Sequence, residues 1–198
     1  MRRTFALLII LIVLAFNNNI AFAQLGDNGY EGGSSSGRIL TPLSNLKGGN
    51  DKQTYSYKEI VFVTGTPVDE HLNPKLSEVL KIIDFYQDYF RPNALVVMRS
   101  TLYPGTMEHI SKRLSSLKVP VKLAFCPERV SQGYALDEID SLPQIISAFD
   151  EESYKAATQL FSGISPTLIR LTPLEAEMTK LMANAWRYLE FAIANQFY

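Results

Sequence analysis

The sequence predicts an α/β protein: a partial parallel sheet with flanking helices, ending in one long helix. Short runs rich in β-branched residues alternate with amphipathic segments at the spacing of βαβ units. The strand-like runs are apolar at nearly every position, as expected of strands buried on both faces. The last segment, from Thr172 to Tyr198, carries apolar residues at helical spacing behind a well-marked start.

Residues 1–23 differ from everything after them. Arg2 and Arg3 precede the apolar run Ala6 to Phe16, and Ala21-Phe22-Ala23 before Gln24 looks like a small-residue cleavage site, the pattern of a secretory signal peptide. The same residues suit an N-terminal anchor or a helix lying on a membrane, but the apolar core is too short for a stable span. Residues 24–56 contain Gly-Gly, Ser-Ser-Ser-Gly and Gly-Gly-Asn with few large apolar residues, so they read as a flexible linker without packed structure.

The globular part begins near Tyr57. Ile60 to Val63 is its first strand, ended by the turn Thr64-Gly65-Thr66-Pro67. Leu76 to Phe90 then has Leu76, Val79, Leu80, Ile83, Tyr86 and Phe90 at helical spacing, with Asn73-Pro74 before it and Arg91-Pro92 after it. Ala94 to Met98 is a second strand, followed by Ser100-Thr101 and a helix from about Thr106 to Leu117. Val121 to Phe125 is a third strand, and Gln144 to Ala148, helix Glu151 to Phe161 and strand Thr167 to Leu171 add another unit. Right-handed crossovers make such strands parallel and gather ligands at their carboxyl ends, here Thr64 to Val68, Ser100-Thr101 and Cys126 to Gly133. Residues 57–171 thus look like the second half of a Rossmann-type domain. Residues 172–198 start a central helix, with Thr172 as cap, Pro173 at the first helical position and Glu175 closing a capping box. Lys180 and Asn184 share one of its faces, with Arg187 a turn on; periodicity alone reads this as a solvated polar stripe.

Composition narrows the function classes. A chain of 198 residues, 46% apolar and 20% charged with net charge −1, suits one ordinary domain. It has no basic stripe with interleaved aromatics, so a nucleic-acid partner lacks its electrostatic footprint. Its one cysteine, Cys126, excludes an internal disulfide, and His71 and His109 lack ligand-like spacing, so no metal site is expected.

Four ordered blocks carry a resemblance: Thr66-Pro67; Arg99-Ser100-Thr101 with Pro104-Gly105-Thr106; Cys126-Pro127-Glu128-Arg129 with Gly133; and Glu175-Ala176-Glu177, Lys180-Leu181, Asn184 to Tyr188 and Phe191 to Tyr198. Together, over roughly Tyr57 to Tyr198, they resemble the nucleotide-sugar dehydrogenases, which act on UDP-glucose, GDP-mannose or UDP-N-acetylmannosamine, with Phe191 to Tyr198 leaning toward the last branch. The resemblance implies NAD as cofactor, a UDP- or GDP-linked sugar as substrate, oxidation to the uronic acid feeding polysaccharide precursors, a homodimer in the parent family and a cytoplasmic location. The signal-like segment conflicts with that location and suggests export or a misjoined start.

By the same resemblance, Thr64, Gly65, Thr66 and Pro67 pass along the cofactor, and Ser100 and Thr101 contact its nicotinamide half, Thr101 also orienting a water. Glu128 acts as acid/base near the substrate with Arg129 beside it, while Lys180 and Asn184 stabilise an oxyanion and touch the substrate. Each has a plainer reading: a strand-ending turn for Thr64 to Val68, helix punctuation for Ser100-Thr101, and a loop carboxylate paired with Arg129 for Glu128. The family's second carboxylate, four residues after the first, is Gln132 here, which leaves it only as a possible ligand contact. The family's catalytic thiol lies downstream of the central helix, so Cys126 reads as structural filler. The Gly-rich first turn and the ribose-binding acid are missing, and Gly26 to Gly37 is taken to follow a signal-like segment rather than a strand. The expected chain is therefore a dehydrogenase fragment incomplete for catalysis, or alternatively an exported or truncated non-catalytic binding domain on the same scaffold.

Overall fold

The computed structural model describes residues 20–24, 38–40, 57–63, 70, 75–129 and 142–197. Thr64, Gly65, Thr66, Pro67, Gln132 and the rest of the signal-like and linker segments lie outside the described residues.

Seven strands form one sheet: β1 (Ile20–Gln24), β2 (Arg38–Leu40), β3 (Tyr57–Phe62), β4 (Phe90–Met98), β5 (Val121–Phe125), β6 (Gln144–Ala148) and β7 (Leu168–Leu171), in the order β2-β1-β3-β4-β5-β6-β7. Four described α-helices accompany them: α1 (Leu76–Tyr86), α2 (Thr106–Ser115), α3 (Glu151–Phe161) and α4 (Pro173–Phe197).

Strands β3, β4 and β5 run parallel, as βαβ spacing predicts, and β1 joins them in parallel beside β3. Strand β6 departs from that expectation and runs antiparallel to β5, with β7 parallel to β6. The chain re-enters the sheet at the edge where β5 leaves it, and Gln144 is fixed there by a 3.4 Å bond from its Nε2 to the Pro127 carbonyl.

Two further expectations are corrected. Ile20–Gln24, at the junction of the signal-like segment and the linker, pairs through Ile20 to Ala23 in parallel with Glu59 to Phe62, and Arg38–Leu40, inside the supposed structureless linker, pairs antiparallel with Phe22 to Gln24. The physical reason is the open edge of β3: its unpaired backbone groups need a partner, and Ile20-Ala21-Phe22-Ala23 is a short β-capable run. Strand β4 also begins at Phe90, before the expected Ala94. Asn93 takes φ 65 and its N–H donates to Pro120 O at 2.7 Å, so the residues between the Tyr57–Phe90 and Glu59–Leu95 pairs bulge out of register.

Strand residues alternate between two cores, as the two-residue side-chain period requires. Ile60, Phe62, Val96, Met98, Leu123 and Phe125 face α1, α2 and Ala176 of α4. Val61, Leu95, Val97, Ala124, Cys126 and Ile146 face Ala157 and Phe161 of α3. Both faces are covered, which is why these runs are apolar throughout.

Helix α4 starts as its sequence indicates. Thr172 N–H and Oγ1 each donate to Glu175 Oε2 at 2.8 Å, and Glu175 N–H returns to Thr172 Oγ1 at 3.3 Å. Its apolar stripe, however, does not pack among the described residues: only Pro173, Ala176 and Glu177 are buried, while Met182, Trp186, Leu189 and Phe191 are 56–64% exposed. The helix runs past the sheet after its first turns, and no other described element covers the remainder. No helix among the described residues is long and apolar enough to cross a membrane.

Helix α3 is capped by Asp150, whose carboxylate accepts from Ser153 N–H at 2.8 Å and from Ser153 Oγ at 2.7 Å. Burial pushes the Asp150 carboxyl up, but these bonds, the Glu152 amide and nearby Lys122 outweigh it and hold the group below its ordinary value. A depressed carboxyl stabilises the fold above its unfolded-state pKa and loses that contribution as pH falls through the folded value. Asp150→Ala should therefore cost about 0.5–2 kcal/mol at pH 7. In urea melts at successively lower pH, the gap from wild type should close below about pH 4, the ordinary aspartate value. A pH-independent gap would contradict this.

Candidate active site

The candidate site lies at the carboxyl edge of β3, β4 and β5, where the ladder is extended one step past each strand. Arg99 N–H donates to Phe62 O at 3.0 Å, Cys126 N–H to Met98 O at 2.9 Å, and Glu128 N–H to Arg99 O at 3.2 Å. These bonds fix where the Ser100-Thr101 and Cys126 to Arg129 loops begin. Ser100 is buried, Thr101 half-buried and Leu102 buried, so the first loop is packed down against the core.

Arg99 sits at the middle of this edge and is 5% exposed. Its guanidinium pairs with the Glu128 carboxylate, donates from Nη1 to Gln144 Oε1 at 3.3 Å, and lies 4.9 Å from the centroid of the Phe161 ring. A buried guanidinium is tolerated only when its charge and donors are met; here a carboxylate, an amide and an aromatic face meet them. Glu128 thus forms an ion pair with Arg99, a partner that the plainer reading, which named Arg129, did not include. Arg129 instead gives its backbone N–H to Glu128 Oε1 at 2.8 Å and its Nη1 to Pro143 O at 3.0 Å.

Helix α4 brings Lys180 within electrostatic reach of Glu128, Arg129 and Arg99, and Asn184 follows it one turn on; both are half-buried. Burial pulls the Lys180 amine below its ordinary value; the Glu128 carboxylate opposes this, and the guanidiniums of Arg187, Arg129 and Arg99 reinforce it. Lys180 therefore shares an electrostatic environment with the β4 and β5 loops. An amine and an amide one helical turn apart, partly withdrawn from water, can both serve an oxygen that gains negative charge.

Cys126 is fully buried, and desolvation pushes its thiol up to about 12 against the smaller downward pulls of Arg99 and the Ser147 amide. It packs as filler between the sheet and α3, with Ala157 and Phe161 in the same core. Among the described residues, no group of three or more His, Cys, Asp or Glu side chains is placed to hold a metal ion. A cavity of about 450 Å³ lined in part by Leu114, Leu117, Val119, Pro120, Phe149 and Asp150 lies at the opposite, amino-end edge and includes none of the candidate residues.

The strand order bears directly on a dinucleotide cofactor. From β1 the chain goes out to β2 on one side and returns to β3 on the other, so the order reverses between β1 and β3. That reversal, with the parallel β1 and β3 ending side by side at Ala23 and Phe62, resembles the switch points at which α/β sheets hold nucleotides, with the difference that β2 returns antiparallel to β1. It also corrects the premise set against Gly26 to Gly37, since that stretch does follow a strand; residues 25–37 are outside the described set. The described residues fit NAD on this ground.

Sequence reasoning named the loops and quoted Arg99 and Glu177 within its motifs but gave neither them nor Gln144 a role, since their contacts are distant in the chain. The available signal was a charged residue set among apolar neighbours, Arg99 after Val96-Val97-Met98 and Glu177 beside Ala176 and Met178.

Known proteins share the sequence pattern and the fold. The sequence profile of the UDP-glucose/GDP-mannose dehydrogenase family, NAD binding domain, matches residues 41–165. The UDP-N-acetyl-D-mannosamine dehydrogenase of Methanocaldococcus jannaschii is 34% identical over 159 residues, which cover 77% of this chain and 37% of the relative. The structure of the Pyrococcus horikoshii UDP-D-ManNAc dehydrogenase superposes with a TM-score of 0.65 and 28% identity, covering 72% of this chain and 35% of the other. A GDP-mannose dehydrogenase from Pseudomonas aeruginosa, at TM-score 0.58 and 22% identity over 70% of this chain and 34% of its own, shares the fold. The chain thus spans little more than a third of the length of these proteins. It belongs to the UDP-glucose/GDP-mannose dehydrogenase family and carries that family's NAD-binding domain.

Proposed function

We propose that this chain supplies the NAD-binding half of an enzyme that oxidises a UDP-linked sugar, of the N-acetylmannosamine class, to its uronic acid. The observation that carries this reading is the meeting of Glu128, Arg99 and Lys180 around the carboxyl edge of the parallel strands. The relatives named for UDP-N-acetyl-D-mannosamine support the sugar class.

Oxidation of a primary alcohol to an acid releases two hydrides, one at the alcohol stage and one at the aldehyde stage, and NAD, two molecules per turnover, would accept them. Ser100 and Thr101 hold the nicotinamide side through their hydroxyls, and Thr64 to Pro67 line the cofactor's path, as the resemblance implies. Lys180 and Asn184 stabilise the oxygen that gains charge when the hydroxyl loses its proton, ahead of hydride departure. Glu128, held by Arg99, orients or deprotonates a water, and Arg129 stands beside it for substrate contact. Gln132, in place of the family's second carboxylate, leaves the water step to Glu128. The thiol for the aldehyde stage has to come from elsewhere, because Cys126 is sealed in the core.

The exposed apolar stripe of α4, including Met182, Trp186 and Leu189, supports a homodimer built on that helix. A cytoplasmic location is supported by β1, since cleavage after Ala23 would cut a strand paired with β3.

Isothermal titration of the 198-residue chain with NAD should give saturable heat, and Ser100→Ala/Thr101→Ala should weaken binding about tenfold, the worth of one or two lost hydrogen bonds. No heat from the wild-type chain would contradict the cofactor reading. In a chimera that joins this chain to the remaining part of the Pyrococcus horikoshii relative, Lys180→Ala should lower turnover about 10²–10³-fold with little change in Tm. Unchanged turnover would remove Lys180 from the site.

A further inference from the structure

Glu177 lies on α4 one turn before Lys180, and its side chain is completely buried. A carboxylate withdrawn from water persists only if its oxygens are met by strong donors. Both are met by main-chain amides of another element: Oε2 accepts from Gly105 N–H and Oε1 from Met107 N–H, each at 2.7 Å. Burial pushes this carboxyl up, the two amides pull it down, and Glu108 adds a smaller upward push.

Those amides sit where β4 hands over to α2. Gly105, the cap of α2, takes φ 87 and has no side chain to satisfy the helix's first N–H groups, so Glu177 does this from outside. The stretch from Ser100 to Gly105 has little slack. Its start is held by Arg99 N–H on Phe62 O, its middle by buried Leu102 and the 3.0 Å bond from Thr106 N–H to Tyr103 O, and its end by Glu177.

We propose that Glu177 is a positioning residue whose carboxylate ties the Ser100-Thr101 loop to the helix bearing Lys180 and Asn184. The cofactor-side hydroxyls and the oxyanion-side amine then keep one fixed relation. Its importance for catalysis rests on the reading of the site given above; the mechanical tie does not. A simple helix cap would steady Gly105 and Met107 alone, whereas a tie between elements also steadies the loop that precedes them.

Amide hydrogen exchange by NMR on the full chain separates the two. In Glu177→Ala, exchange at Gly105 and Met107 and at Ser100, Thr101 and Leu102 should rise about tenfold or more, the scale of a lost charge-assisted hydrogen bond. Val97 and Leu123, in the sheet, should keep wild-type rates. Glu177→Gln, which retains one acceptor oxygen, should fall between. If Glu177→Ala loses protection at Val97 and Leu123, it has unfolded and Glu177→Gln decides by the same comparison. Acceleration confined to Gly105 and Met107, or wild-type rates throughout, overturns the proposal. An NAD titration of the same samples keeps the two readings apart: failure of the wild type to bind NAD removes the cofactor assignment and leaves the exchange pattern decisive for Glu177.

Discussion

A guanidinium buried at the carboxyl edge of the sheet organises this molecule. Arg99 stands where β4 ends, and its charge is met by Glu128 after β5, by Gln144 at the start of β6 and by the Phe161 ring of α3. Removing Glu128 would leave the buried guanidinium without its counter-ion. The geometry of four elements is thereby set from one side chain, and the carboxylate of the candidate acid/base is set with them. The antiparallel turn of β6, a departure from a purely parallel sheet, is what delivers Gln144 to this position.

A second buried charge does similar work on the other side of the loop. Arg99 fixes the residue before Ser100 from within the sheet, and Glu177 fixes the residues after Tyr103 from the long helix. Between these two restraints the loop carrying Ser100 and Thr101 has few alternatives. Both restraints are polar groups satisfied by backbone or by opposite charge, the condition under which buried charges specify an arrangement instead of opposing it.

Much of this was legible in the sequence. Strands β3, β4 and β5 announce themselves as apolar β-branched runs because both sheet faces are covered, and the start of α4 is written in Thr172, Pro173 and Glu175. What could not be read depends on partners far along the chain. Ile20–Gln24 looks like the end of a signal peptide because its residues are equally good for a membrane and for a sheet; only the open edge of β3 decides between them. The direction of β6 lies in its antiparallel pairing with β5, Ala124 with Ala148 and Phe125 with Ser147, which leaves no mark on hydrophobic periodicity. The apolar stripe of α4 promises a packed helix, yet its stripe is mostly exposed among the described residues, since periodicity records that a face is apolar and not what covers it.

The central claim is that the reversal of strand order between β1 and β3, beside the Arg99-centred edge, is where the dinucleotide sits. Backbone amide shifts recorded during an NAD titration test it most directly. Shifts should concentrate at Val63, Ser100, Thr101 and Glu128, at the carboxyl edge, while Val121 and Asp150 at the amino edge stay fixed. Shifts centred on Val121 and Asp150, with the carboxyl edge silent, would contradict the account.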